Sequence, residues 1–411
     1  MKLKVKNLLI ISWILMLATT FTFKVRTHGE SLGATMDGTN ILRGGFTIIS
    51  ILILLFILKR LNNSIKIPGI IIPWYIYILF SMMSSFWSYS FMVTFVKTLE
   101  ILTSLLILLL TYNIESMLID KMFNICKNIM RILVNFGVIG YILGIEGFYQ
   151  NSMYSHGFLR GQILSPLLTY GGHSLYSAFL ALIYLNSYHK NKDKQSLFRF
   201  MYYVIVCLIA FGRSPVIGLV LGIVLFMLVY QFEEKSKASK LIMYGLTMVS
   251  LFLIIYIIKD DIMSVFARGQ NTEELKNLSG RIPMWNIALN MIRENFLVGV
   301  GFGVGSRVAF SKYGTAHSQT VSSVHNGILE VFGGVGIIGL ILWIGSLIIP
   351  ILIAYKKRKN TNSRLLLLTT PLLILTTIMN NILGGWLSLV MAMYFTIIFK
   401  IIIEDRKGNE Q

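Results

Sequence analysis

NGILEVFGGVGIIGLILWIGSLIIPILIA, residues 326–354, holds one acid, Glu330, and no lysine or arginine. About 20 apolar residues suffice for a helix to cross the hydrocarbon layer of a bilayer. A run this long and uniform reads as a membrane span, bounded by His325 on one side and by Lys356 to Lys359 on the other. Working outward, comparable runs recur near 8–23, 41–58, 69–87, 95–112, 129–146, 166–187, 200–211, 214–231, 241–258, 365–383 and 387–403. The chain has 411 residues, 55% hydrophobic and 13% charged, with mean hydropathy +0.71. A soluble domain carries about 25% charge. These figures exclude a cytosolic globular enzyme, a disulfide-stapled secreted domain and a disordered chain. The expectation is an all-α polytopic membrane protein of about twelve transmembrane helices. It forms one integral membrane domain over residues 1–411. The boundaries near 187–231 are the hardest to draw, because the seventh run is short.

The net charge of +19 has to be located before it is assigned. Basic residues recur in short clusters between apolar runs: Lys2, Lys4 and Lys6; Lys59, Arg60 and Lys66; Lys121, Lys127 and Arg131; Lys190 to Arg199; Lys235 to Lys240; Lys356 to Arg364; and Lys400 to Lys407. Each cluster falls on one side if the chain alternates across the membrane from a cytoplasmic N-terminus, which is the positive-inside pattern. The charge therefore reports topology and anionic headgroups, not nucleic acid. Both termini are expected in the cytoplasm. Cys126 and Cys207 read as small buried hydrophobes. The basic start and apolar stretch of residues 2–20 resemble a signal peptide, but the run continues to Phe23 and reads as an uncleaved first span.

Outside connections are short except for residues 259–325, too long for a simple connector and expected to form a lid over the outer face. Within it Ile282, Trp285, Ala288, Leu289, Ile292 and Phe296 recur at helical spacing. That pattern predicts a short amphipathic helix over 281–296, lying in the headgroup region or packed over the bundle mouth. Seven Lys/Arg between Lys259 and Lys312 face five acids, a slightly basic lid suited to an anionic ligand.

An ionisable group at membrane depth is a functional candidate. Arg213 lies in Ala210-Phe211-Gly212-Arg213-Ser214-Pro215, at the turn between two apolar runs. Its planar fork could grip two phosphate oxygens, or it could be an ordinary interfacial arginine. Arg160 and Arg281 also face outward. His325 and Asn326 stand where the lid enters the tenth span, with Glu330 one turn later. Histidine is the natural proton acceptor at neutral pH, although a single histidine at a helix start is commonly structural, as His156, His173 and His317 could also be. Glu330 could orient His325, pair with an arginine or face a polar cavity. Lys97 and Glu100, three apart, look like an ion pair. Gly299 to Gly305 alternates glycine with other residues and either offers N–H groups to an anion or lets the lid turn sharply. No spacing suits a metal, so no metal or cofactor is expected.

These residues resemble the O-antigen ligase and polymerase superfamily. His325-Asn326, nine residues, then Gly336-Ile337-Ile338-Gly339 is similar to its His-Asn-x9-Gly-x-x-Gly signature. Gly280-Arg281 with Trp285, the glycines at 299, 301 and 303, the Arg213-Ser214 turn and Arg160-Gly161 agree in order and spacing. Where members often carry Pro-Asn at the start of the sixth span, this chain has Gly172-His173. The resemblance implies metal-independent, inverting glycosyl transfer at the outer face of a bacterial cytoplasmic membrane, from a glycan on undecaprenyl diphosphate. It implies His325 as base and Arg213 and Arg281 as diphosphate ligands, with Arg160, Asn326, Glu330, Gly301 and Gly303 binding substrate. Each charge-stabilising contact contributes about 2.7–4 kcal/mol, and the base typically about 10²–10⁴-fold.

The expected partners are lipid-linked glycan donor and acceptor, the bilayer, a chain-length regulator and a flippase. A polymerase transfers the growing chain to a second lipid-linked repeat unit, and a ligase to a final acceptor. The Lys/Ile/Asn-rich composition favours the polymerase. A flippase or exporter of the same lipid is the less favoured alternative, because no half-to-half similarity is visible.

Overall fold

The computed structural model describes residues 2–21, 38–60, 64–150, 161–227, 281–314 and 323–409. Its helices, in chain order, are α1 (Lys2–Ala18), α2 (Gly38–Leu58), α3 (Ile72–Met83), α4 (Phe91–Glu115), α5 (Leu118–Leu143), α6 (Tyr170–Asn191), α7 (Lys194–Ala210), α8 (Arg213–Phe226), α9 (Arg281–Glu294), α10 (Gly305–Tyr313), α11 (Gly327–Lys356), α12 (Thr361–Asn380) and α13 (Leu389–Asn409). Short 3₁₀ turns flank α3, and one antiparallel pair of two-residue strands, β1 (Tyr149–Gln150) and β2 (Gln162–Ile163), joins α5 to α6. The fold is all-α, as the hydropathy predicted. The expected ninth span, 241–258, lies outside the described residues; each of the other apolar runs carries a helix.

Among the described residues six helices are long and apolar enough to cross a membrane: α2, the continuous run Gly69–Trp87, α4, α5, α11 and α12. That is half of the expected twelve, one of which, 241–258, lies outside the described residues. α7 and α8 have only 17 and 14 residues, and α6 carries His173, Ser174, Ser177 and Asn186 in its buried face. The seventh run starts earlier than hydropathy placed it, because Asp193 accepts from the Ser196 amide (2.7 Å) and caps α7 there. A cap satisfies an amide that the first turn leaves orphaned.

The described residues group into two compact units. The first holds Met1–Met130, Arg281–Leu367 and Thr376–Gln411. Its core is aromatic: Trp74 packs edge-on to Phe395 (ring centroids 5.0 Å), and Tyr77 packs on Phe302. This unit has two ends. At one, Lys6 pairs with Glu115 (2.5 Å), Lys400 with Asp120 (2.8 Å) and Lys357 with Asp405 (2.5 Å). The N-terminus of α1, the C-terminus of α4 and the α11–α12 turn therefore share that end. At the other, Tyr89 just before α4 donates to Val300 O (3.0 Å), and Lys97 donates to Gly303 O (2.6 Å). Lys97 to Glu115 is eighteen residues, about 27 Å of helix, close to the hydrocarbon thickness.

The second unit holds Arg131–Gly280 and Leu368–Leu375. Tyr184 of α6 stacks on Tyr203 of α7 (centroids 5.7 Å), and Ser174 donates to Cys207 O (3.2 Å). His173 sits against Ser165 Oγ (3.2 Å) with its ring packed on Gly137. Both cysteines are buried and free.

Candidate active site

The site builds from a break in α11. Gly336 has φ 66° and ψ −171° inside that helix, and a Cβ there would run into the Leu297 carbonyl. Breaking a helix frees backbone groups that must find partners away from water. Residues 296–301 supply them. Ile337 donates to Phe296 O (2.9 Å), while Val300 and Gly301 donate to Gly333 O (3.0 Å) and Gly334 O (2.8 Å). Gly301 and Gly303 are thus close-approach positions, against Ser88 and against Lys97 with Gly385 O. Phe302 is pinned twice more, its amide on Ser84 Oγ and its carbonyl on Thr94 Oγ1.

The end of α11 nearer this break carries His325 and Asn326. Asn326 Oδ1 accepts from Ile328 N (3.0 Å) and Leu329 N (3.1 Å), so its side chain is the helix cap. His325 precedes it in the left-handed region, φ 49°, which a non-glycine residue adopts only where its surroundings hold it. They do so on both flanks. Trp285 Nε1 donates to Val324 O (3.1 Å), and Val324 N donates to Ser306 Oγ (3.1 Å). The His325 amide itself donates to Ser323 Oγ (3.2 Å). Ser306 in turn donates to the buried Glu330 carboxylate.

α9 was the predicted amphipathic helix, and it forms over 281–294 with Ala288, Met291 and Ile292 buried. It packs against α10 and α11, which accounts for its apolar face. Arg281 and Trp285 lie one turn apart on it, so both address the 323–326 turn. Trp285 bonds its backbone, while the Arg281 charge bears on the His325 ring. Arg281 Nη1 also meets Met379 Sδ (3.2 Å). His325 is exposed at its surface, with neighbouring groups partly enclosing the ring. Enclosure, and then Arg281, hold its pKa below the usual histidine value, because both disfavour the charged ring.

Three features of this unit were not legible beforehand. α10 escaped notice, and with it Ser306, because nine residues are too few for a clear period. Glu100 takes Arg43 as its partner in a two-pronged bond (3.1 and 2.6 Å), whereas Lys97 turns to the Gly303 carbonyl. Arg307 and Glu330 complete the charged surroundings of Lys97. At the far rim Glu294 accepts from Tyr313 and from Lys312 (3.3 Å), an exposed clasp between α9 and α10.

Arg281, His325, Asn326, Glu330, Gly301 and Gly303 therefore belong to the first unit. Arg213 belongs to the second and opens α8, after Phe211 ends α7 in the left-handed conformation (φ 48°). Arg160, His156, His317 and residues 259–280 of the expected lid lie outside the described residues.

Apolar spans, a helix broken at glycine and polar groups gathered at one helix end define a multi-pass helical membrane protein. Residues 198–344 match the family model described as O-antigen ligase, which makes that stretch similar to the O-antigen ligase and polymerase superfamily. No curated protein matches the chain. The matched stretch contains Arg213, Arg281, His325 and both glycines of the Gly-x-x-Gly pair.

Proposed function

We propose that this protein is a membrane glycosyltransferase that joins oligosaccharide repeat units carried on undecaprenyl diphosphate into a surface polysaccharide. The observation that supports the reading is that His325 stands on a turn clamped by Trp285 and Ser306, with the Arg281 charge bearing on its ring, within the family-matched stretch. The acceptor hydroxyl attacks the anomeric carbon while His325 takes its proton. The bond from that carbon to the diphosphate oxygen breaks, and Arg281 meets the charge released. A neutral imidazole is what a base requires, and the lowered pKa supplies it near pH 7. The basic clusters support a cytoplasmic Lys6–Glu115 end, with the His325 end on the outer face of the cytoplasmic membrane.

The matched family description names a ligase, and the same chemistry would serve one, with a different acceptor. One variant separates the two. In a cell carrying His325→Ala, loss of polymer with single lipid-linked repeat units accumulating is expected of the polymerase. Accumulation of full-length polymer on the lipid would make the enzyme a ligase. Polymer of normal length and yield would remove His325 as the base.

A further inference from the structure

At the end of the first unit away from Arg281 and His325, α1 and α2 leave between them a groove of about 650 Å³. The helices run antiparallel there, so the first turn of α1 meets the C-terminus of α2. Lys4 and Arg60 stand at that rim with Asn7 beside Lys4, and Leu8, Ile49 and Phe56 are among the apolar side chains lining the rest. The Arg60 guanidinium is folded back over the Phe56 ring, 4.1 Å from its centroid. It therefore stays at the mouth of the groove, exposed to water. Ile49 and Phe56 remain 47% and 45% exposed, a surface that hydrocarbon covers at no cost.

The charge of the rim separates this groove from the rest of its end. Lys6, Lys357 and Lys400 each have a carboxylate within 2.8 Å. No carboxylate lines the groove, and among the described residues neither Lys4 nor Arg60 has an acidic partner. Two uncompensated cations at the mouth of an apolar cleft match a net-negative head on an acyl tail. A zwitterionic lipid would bring its own ammonium to the same rim. Basic pockets between membrane helices select anionic headgroups on this ground.

We propose that the α1–α2 groove is a binding site for an acidic phospholipid. Its phosphate sits between Lys4 and Arg60 with the Asn7 amide as a further donor, and one acyl chain lies along Leu8, Ile49 and Phe56. The site is separate from the diphosphate site, because about 27 Å of α4 divides the two ends. It occupies the opposite leaflet.

The test uses the full chain in nanodiscs, titrated with phosphatidylglycerol and separately with phosphatidylcholine. Thermal unfolding and lipid retention by native mass spectrometry are the readouts. Saturable stabilisation by phosphatidylglycerol alone is expected. Lys4→Gln with Arg60→Gln should weaken its apparent affinity about thirtyfold, the worth of two headgroup contacts. Leu52→Trp, which fills the groove and keeps both cations, should weaken it as well. Lys121→Gln with Lys190→Gln should leave it unchanged. Unfolding in phosphatidylcholine confirms that each variant folds, and the Leu52→Trp arm decides if the double variant does not. Equal response to both lipids, equal loss in the control pair, or full affinity in either groove variant would overturn the proposal.

Discussion

In the proposed reaction His325 is the base at neutral pH, and its neighbours oppose its protonation. Partial enclosure and the Arg281 charge both lower its pKa from the usual value near 6.5. A base must be unprotonated, so the rate should hold as pH falls through 6.5 and decline only below it. Arg281→Gln removes one of the two causes, and the acid limb should then move to higher pH, whatever the overall rate. A limb that stays in place in a pH–rate profile would dissociate Arg281 from the imidazole. Ser306 offers a second check. Its hydroxyl links Glu330 to the Val324 amide, and Glu330 is not among the causes of the His325 shift. Ser306→Ala should therefore lower kcat about ten- to hundredfold through misplacement of the ring. KM for the lipid donor and the position of the acid limb should stay unchanged. A raised KM with kcat preserved would instead make this pair a substrate contact. His325, Asn326 and Glu330 were legible as candidates from their place at a span boundary. Ser306 was not, since nothing in its neighbourhood marks one serine over another.

At the scale of the element, the break in α11 decides what the glycines do. Gly336 holds a left-handed φ with the Leu297 carbonyl against it. Gly336→Ala should therefore lose about 1–3 kcal/mol from backbone strain alone, and more from the overlap. Gly345 in the same helix has open space around it, and Gly345→Ala should be neutral or stabilising by up to about 1 kcal/mol. Thermal unfolding of the two variants side by side makes the comparison. Equal melting would mean that the break is not held by residues 296–301. The Gly-x-x-Gly spacing was readable, but its reason was not, because the strand of chain that fills the break comes from forty residues upstream. The amphipathic period of α9 was readable for the opposite reason: it depends only on local spacing.

For the whole molecule, the prediction concerns sidedness. Both native cysteines are fully buried, so they give a silent background. Ser311→Cys, exposed on α10, should react in intact cells with a membrane-impermeant maleimide. Lys121→Cys, exposed beside Asp120 at the Lys400 end, should react only after lysis. The reverse pattern would invert the topology and put His325 in the cytoplasm.

The long apolar helices follow from the sequence because hydropathy and basic clusters act over a few residues, whereas the short α10 does not. The start of α11 beside Asn326 is of this kind, while the Asp193 cap that opens α7 six residues before the apolar run was not legible in that run. What only the tertiary structure decided is which distant groups meet: Arg43 with Glu100, Trp285 with Val324, Ser306 between Val324 and Glu330, and residues 296–301 in the broken helix. Such partnerships depend on how helices pack against one another. A charge or carbonyl in a poor solvent pairs with whatever packing brings within reach, not with its nearest neighbour along the chain.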